Sequence, residues 1–224
     1  MVTAIILSGG TGTRMGTDIP KQYLIAGGKP VIAYVIDTFE KSDAIDSYVI
    51  VAAPAYRDLI QSLLPAKSGF KGFADPGENR QLSILSGLRL CAEFLKDDDS
   101  VVIHDAARPL VTEETLAQIA EKLKEGDAVL PILPMKDTVY EVENGEVKAN
   151  LDRSRIAAGQ APEGFKFGPY LAANESLLPD RIMDISGSMQ PAVMAGMKIL
   201  TVPGDENNYK ITTPADLKRF EGSI

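Results

Sequence analysis

Residues 4–22 read AIILSGGTGTRMGTDIPKQ, and this stretch limits the fold more than any other. The apolar run at 4–7 reads as a buried parallel strand. It empties through Ser8 into a loop that holds Gly9, Gly10, Gly12 and Gly16. Glycines remove Cβ atoms, so successive backbone N–H groups can close around an anion. Two cations, Arg14 and Lys21, lie in or just past the same loop. Bare amides to wrap a ligand, with fixed positive charge beside them, are what a triphosphate requires.

Two better-known phosphate loops do not fit. A dinucleotide fingerprint beginning at Gly10 and Gly12 would need its third glycine where Met15 stands, and a Walker A loop would need lysine where Gly16 is followed by Thr17. The pattern that does fit, GGxGxRMGxxxPKQ, resembles the signature of the sugar-phosphate nucleotidyltransferases.

The chain has 224 residues, 45% of them hydrophobic, enough for one domain over 1–224 with a single excursion at about 137–151. No apolar run approaches the roughly 18 residues of a membrane span. The N-terminus runs straight into a strand without a basic segment before it, so no signal peptide is expected. A lone cysteine, Cys91, falls in an apolar helical pattern and reads as a packing residue. A reducing, cytoplasmic setting follows as an expectation. The net charge of −8 argues against general nucleic-acid binding, which needs a basic surface, but a small anion needs only local positive charge in a cleft.

Strand and helix patterns alternate along the chain. Helices are predicted at 30–40 (with Val31, Tyr34, Val35 and Thr38 on one side), 55–64, 79–95 and 112–124, and from Thr213 onward. Strands are predicted at 47–53, 69–74, 101–103, 127–132 and 198–202. Such βαβα order implies an α/β fold with a mostly parallel sheet covered by helices on both faces. Residues 137–151 break the rhythm. They alternate at period two around Asn144-Gly145, a strong hairpin signal. An isolated hairpin is marginal, so this one is expected to lean on something, such as a second subunit.

Ligands of such sheets bind past the carboxyl ends of the strands. The polar residues at those ends fall in GGTGTRMG, PKQYL, GENRQLSILSGL, HDAARP, KDT, LDR and NYKITTPADL. This ordered set resembles the family of 2-C-methyl-D-erythritol 4-phosphate cytidylyltransferase and its relative, ribitol-5-phosphate cytidylyltransferase, over nearly the whole chain. The resemblance implies a Rossmann-like αβα sandwich with a protruding β-arm through which two copies form a homodimer. It also implies transfer of CMP from CTP to a polyol phosphate, with release of pyrophosphate and with Mg²⁺ as cofactor. No membrane or nucleic-acid partner is implied.

Residue by residue, the resemblance places Arg14, Lys21 and Lys210 in the catalytic set that stabilises charge on the triphosphate. Ser8, Gly9, Gly10, Gly12, Glu78, Arg80, Ser83 and Asp105 match nucleotide-binding positions, and Asp105 also matches the metal position. Arg108, Thr138, Arg153 and Thr212 match the acceptor side, with Arg153 able to reach across the dimer. The chemistry is consistent with this set: the attacking group is an acceptor phosphate oxygen, already ionised at pH 7, so no general base is required. His104, the only histidine, is expected to orient its turn.

Two segments depart from the family pattern. Gln160-Ala161-Pro162-Glu163 stands where Gln-Thr-Pro-Gln is usual, and residues 184–189 lack the usual Thr-Asp pair. Both departures fall on the acceptor side. The first reading is therefore a cytidylyltransferase acting on 2-C-methyl-D-erythritol 4-phosphate. Ribitol 5-phosphate, or another polyol or sugar phosphate of a surface polymer, is the alternative acceptor. A catalytically weak CTP-binding regulatory protein is the alternative of another class.

Overall fold

A computed structural model describes residues 1–10 and 19–224. Its first half contains β1 (Val2–Leu7), β2 (Ile25–Ala26), β3 (Lys29–Pro30), α1 (Val31–Lys41), β4 (Ser47–Val51), α2 (Arg57–Leu63), β5 (Phe70–Ala74), α3 (Arg80–Cys91), β6 (Ser100–Asp105) and α4 (Glu113–Lys122). There follow β7 (Ala128–Pro134), β8 (Val139–Glu143), β9 (Glu146–Leu151), β10 (Ala157–Gly159), β11 (Glu163–Lys166), α5 (Phe167–Glu175), α6 (Gln190–Met194), β12 (Ile199–Pro203) and α7 (Pro214–Glu221).

Neighbouring side chains of a strand point to opposite faces of its sheet. In β1, Ala4 and Ile6 join one buried cluster and Ile5 the other, so both faces are apolar and each needs a helical cover. On the first face the cover comes from Ile32, Ile36 and Phe39 of α1, Ile60 of α2, and Leu116 and Ile119 of α4. On the second it comes from Ile84, Leu88 and Cys91 of α3 with Phe167 and Tyr170 of α5. Burial pushes the Cys91 thiol up to about 12, in keeping with a packing role. Of the expected side of α1, Val31 and Val35 are buried while Tyr34 and Thr38 are half-buried; Ile32, Ile36 and Phe39 extend the buried face.

The main sheet runs β10–β7–β11–β6–β1–β4–β5, with β12 also paired to β7. The strands β1, β4, β5 and β6 are parallel, and so are β7 and β12; only β10 and β11 run against their neighbours. Their antiparallel entry brings Glu163 to the sheet edge where β6 ends in Asp105. The sheet therefore gathers the ends of β1, β4, β5, β6 and β7 with the start of β11 along one edge.

The hairpin lies where the Asn-Gly signal puts it. β8 and β9 pair antiparallel, and Asn144 and Gly145 take φ of 51° and 82°, the double left-handed conformation of a tight two-residue turn. Tyr140, Val142 and Val147 on it are each more than half exposed.

Candidate active site

β1 stops at Leu7, and the Ser8 N–H continues the ladder to the carbonyl of Val51 at 2.8 Å. A Cβ on Gly9 would lie 2.4 Å from Cβ of Pro76, so only glycine lets the loop pass the segment after β5 this closely. Gly10 lines the cleft, and among the described residues nothing crowds its Cβ position. The loop is braced from behind by Gln22, which is 3% exposed. Its Nε2 donates to the carbonyls of Ser8 (2.7 Å) and Gly10 (2.8 Å). Ser8 is itself buried and its hydroxyl donates to Tyr23 Oη at 2.8 Å; its side chain shapes the loop from inside. Gly12 and Arg14 lie outside the described residues.

The opposite wall is the start of α3. Asn79 caps this helix by accepting from Leu82 N at 2.7 Å, and its amide also reaches the Ile182 carbonyl at 3.0 Å. Ser83 accepts from Gly77 N at 3.0 Å and donates to the Asn79 carbonyl at 2.9 Å, tying down the turn that presents Glu78 and Arg80. Gly77, Glu78, Asn79, Arg80 and Ser83 all line the cleft.

Between the walls stands Asp105, the last residue of β6. Its Oδ1 lies 3.2 Å from Arg80 Nη2, and its Oδ2 lies 2.9 Å from Lys210 Nζ and 3.6 Å from Arg108 Nε. Burial alone would raise its pKa, but Arg80, Lys210 and Arg108 hold the carboxyl well below the usual range, so it is ionised. Lys210 is delivered by an ordered chain. The Ile211 N–H donates to the Ala107 carbonyl at 2.8 Å, Arg108 Nη1 to the Asn208 carbonyl at 2.8 Å, and Asn208 Nδ2 to the Ala161 carbonyl at 2.8 Å. His104 is fully buried, and its Nε2 sits 3.0 Å from the Arg108 carbonyl. Burial pushes its pKa down to about 4, so it is neutral at pH 7 and holds the turn, as expected.

These elements enclose a cleft of about 410 Å³, lined by Gly9, Gly10, Lys21, Glu78, Arg80, Ser83, Asp105, Lys210 and Thr212 among others. The fold thus gathers the expected nucleotide-side residues that it describes, apart from Ser8, which lies behind the loop. The acceptor-side set divides. Thr212 lines the cleft. Arg108 is mostly buried behind Asp105 as a brace to Asn208. Thr138 and Arg153 stand at the base of the arm outside the cleft lining, with Arg153 Nη1 donating to the Lys136 carbonyl at 2.7 Å. Gln22 and Asn208 had no role assigned from sequence. Gln22 sits in the PKQ motif, and its burial beside the glycine loop shows only in the fold.

The helix that follows Lys210 is fixed by a capping box. Asp216 Oδ2 accepts from the N–H groups of Thr212 and Thr213 at 2.9 and 2.8 Å and from both hydroxyls, while Thr213 Oγ1 accepts from Asp216 N. Partial burial works to raise the Asp216 pKa, but these bonds outweigh it and lower it to about 2. A carboxyl depressed on folding stabilises the protein above its unfolded value, 3.8, and the contribution is lost as pH falls through about 2. Asp216→Ala is expected to cost about 1 kcal/mol at pH 7. The gap to wild type should narrow between pH 4 and pH 2, which urea unfolding at the two ends of that window will show.

The model of the family described as IspD, 2-C-methyl-D-erythritol 4-phosphate cytidylyltransferase, matches residues 2–223. A protein of that name from Geobacter metallireducens is 34% identical over 226 residues, covering 100% of this chain and 97% of the relative. Ribitol-5-phosphate cytidylyltransferase from Streptococcus agalactiae serotype V is 32% identical, covering 99% of this chain and 94% of that one. Among solved structures, the 2-C-methyl-D-erythritol 4-phosphate cytidylyltransferase of Francisella tularensis superposes with a TM-score of 0.83 at 25% identity, covering 100% of this chain and 99% of its own. With a family match across almost its whole length and relatives above 30% identity end to end, this chain belongs to the 2-C-methyl-D-erythritol 4-phosphate cytidylyltransferase family.

Proposed function

We propose that this protein transfers CMP from CTP to a polyol phosphate and releases pyrophosphate, with 2-C-methyl-D-erythritol 4-phosphate as acceptor. The observation that carries the reading is the cleft itself, in a member of this family: a glycine loop braced by Gln22, facing Lys21, Arg80 and Lys210. An acceptor phosphate oxygen attacks the α-phosphorus, a new P–O bond forms, and the bond to the bridging oxygen of pyrophosphate breaks. Pyrophosphate leaves with the electron pair. The nucleophile is already an anion, so the protein's task is in-line positioning and charge neutralisation. Lys21 and Lys210 supply fixed positive charge at the triphosphate, and Glu78 with the Ser83 turn forms the wall suited to reading cytosine.

Asp105 suits Mg²⁺ as a single ionised carboxylate on the cleft wall. Among the described residues no group of three or more carboxylate, histidine or cysteine side chains gathers to cage a metal, so triphosphate oxygens and water would complete the shell. When bound, Mg²⁺ neutralises phosphate charge. Arg153 and Thr138 serve the acceptor from the arm of a second copy. No helix among the described residues is long and apolar enough to cross a membrane. Cys91 as the sole thiol suits the cytoplasm.

Ribitol 5-phosphate is the second reading, favoured by the streptococcal relative. Pyrophosphate release from CTP with Mg²⁺, scored against a panel of polyol phosphates, separates the two. CTP is expected to be preferred over UTP, ATP and GTP, because a polar site matched to one base rejects the others. Equal turnover with ATP would overturn the cytosine assignment, and no turnover with any acceptor would leave a CTP-binding protein.

A further inference from the structure

One short turn carries both a cleft lysine and the two side chains that hold the glycine loop. Lys21–Tyr23 form a single 3₁₀ turn, closed by the Tyr23 N–H donating to the Pro20 carbonyl at 2.8 Å. Lys21 lines the cleft. Gln22 and Tyr23 beside it are 3% and 4% exposed. An amide nitrogen carries two protons, and Gln22 Nε2 has an acceptor for each: the Ser8 carbonyl at 2.7 Å and the Gly10 carbonyl at 2.8 Å. Tyr23 Oη donates to the same Ser8 carbonyl at 3.0 Å and accepts from Ser8 Oγ at 2.8 Å. The Tyr23 ring is held in turn, stacked on Tyr56 with centroids 4.0 Å apart.

Peptide planes beside a glycine turn over at little steric cost, because no Cβ resists. A plane that turns over exchanges its N–H for its C=O, and a carbonyl facing a triphosphate repels it. The bonds from Gln22 and Tyr23 fix the sense of the planes that begin at Ser8 and Gly10. We propose that Gln22, backed by Tyr23, is a positioning residue for the triphosphate end of the nucleotide: it holds the loop peptides in one sense and in register with the Lys21 next to it. Such pre-orientation removes an ordering cost that the ligand would otherwise meet on binding. The base lies beyond its reach, because the Ser83 turn that presents Glu78 is tied separately, to Gly77 and Asn79. The proposal rests on the reading of the cleft as a CTP site.

The test compares two ligands on the full chain. Gln22→Met keeps the length of the side chain and removes both donors. It is expected to weaken CTP binding about 10-fold, read by calorimetry with Mg²⁺, the scale of losing a buried pair of hydrogen bonds that orients the site. Cytidine, which has no phosphate, should keep its affinity within about 2-fold in a ligand-observed NMR titration, because its wall is held independently. A general brace of the cleft would weaken both ligands alike; that result, or unchanged CTP binding, overturns the proposal. In the ligand-free protein the amide NMR signals of Gly9 and Gly10 should shift or broaden in Gln22→Met while those of β6 stay in place. If the wild type fails to bind CTP, the nucleotide reading falls alone, and the two glycine signals still decide whether Gln22 sets the loop; unchanged signals overturn that role. Should Gln22→Met not fold, Tyr23→Phe, which removes one hydroxyl, carries the test. A loss of about 3-fold for CTP alone is then expected, and an equal loss for cytidine, or none for CTP, overturns the proposal.

Discussion

Lys21→Ala and Lys210→Ala are each expected to lower kcat at least about 10²-fold while the protein stays folded, the usual scale for losing one preorganised charge aimed at a developing anion. Lys21 lies in the turn after the glycine loop and Lys210 in the segment before α7, so the two approach the cleft from different parts of the chain. Neither belongs to a core cluster, which is why folding should survive. Lys210 does bond Asp105 at 2.9 Å, and its side chain is 33% exposed. Arg80 and Arg108 remain beside that carboxylate when Lys210 is removed, so the stability lost should stay near the 1 kcal/mol typical of partly exposed pairs. Circular dichroism alongside steady-state kinetics checks both halves. Near-normal turnover in the two variants would remove the lysines from the catalytic set. Arg14→Ala carries the same expectation from its place in the loop sequence.

The features legible in the sequence are those whose cause is local. Ala4, Ile5 and Ile6 announce a strand buried on both faces because the strand needs nothing else to be read. Asn144-Gly145 announces its hairpin because the turn requires left-handed backbone at both residues. The stripe Leu88, Cys91 and Leu95 announces the α3 stretch because all three face the sheet, while Leu85 packs against Leu177 and Ile182. The missed features depend on distant partners. β10 and β11 are only three and four residues long, read AAG and EGFK, and are separated by Pro162; their strand character comes from pairing with β6 and β7. The α5 helix begins Phe-Gly-Pro, which reads as a turn until Gly168 is seen packed on Asp97, where a Cβ would meet Asp97 Cβ at 2.7 Å.

The same division runs through the site. Glycines, lysines and Asp105 were legible because anion chemistry demands those types at strand ends. The braces were not. Gln160 exchanges hydrogen bonds with the 205 segment, its Nε2 donating to the Asp205 carbonyl at 2.9 Å and its Oε1 accepting from Asp205 N at 3.1 Å. Nothing in a single sequence distinguishes such a glutamine from a solvated one. The segment 160–163 therefore looks like an altered acceptor loop in the sequence, whereas in the fold it is the hub that fixes the approach to Lys210 through Asn208 and meets Ser188 through Glu163.

Deleting residues 141–147 is expected to convert a dimer into monomers and to impair use of the acceptor more than binding of CTP. The hairpin carries Tyr140, Val142 and Val147 at 52%, 60% and 64% exposure, with Val142 directly opposite Val147 across the ladder. None of the three joins a core cluster of the described residues. A two-stranded ribbon is marginal by itself in water, and an apolar cross-strand pair left in solvent makes it no better. A second copy packed by two-fold symmetry would bury the same patch on both chains. Arg153 and Thr138 sit at the arm's base, outside the cleft of their own chain, and in the proposed dimer they would face the partner's cleft. Loss of the arm would then raise the acceptor KM by an order of magnitude or more, as expected for a charge-assisted phosphate contact, while the affinity for CTP, proposed to bind in the cleft that Lys21, Arg80 and Lys210 of one chain line, would change little. Light scattering on the intact and deleted proteins reads the assembly, and acceptor and CTP titrations read the split. An intact protein that is monomeric and fully active would sink the arrangement.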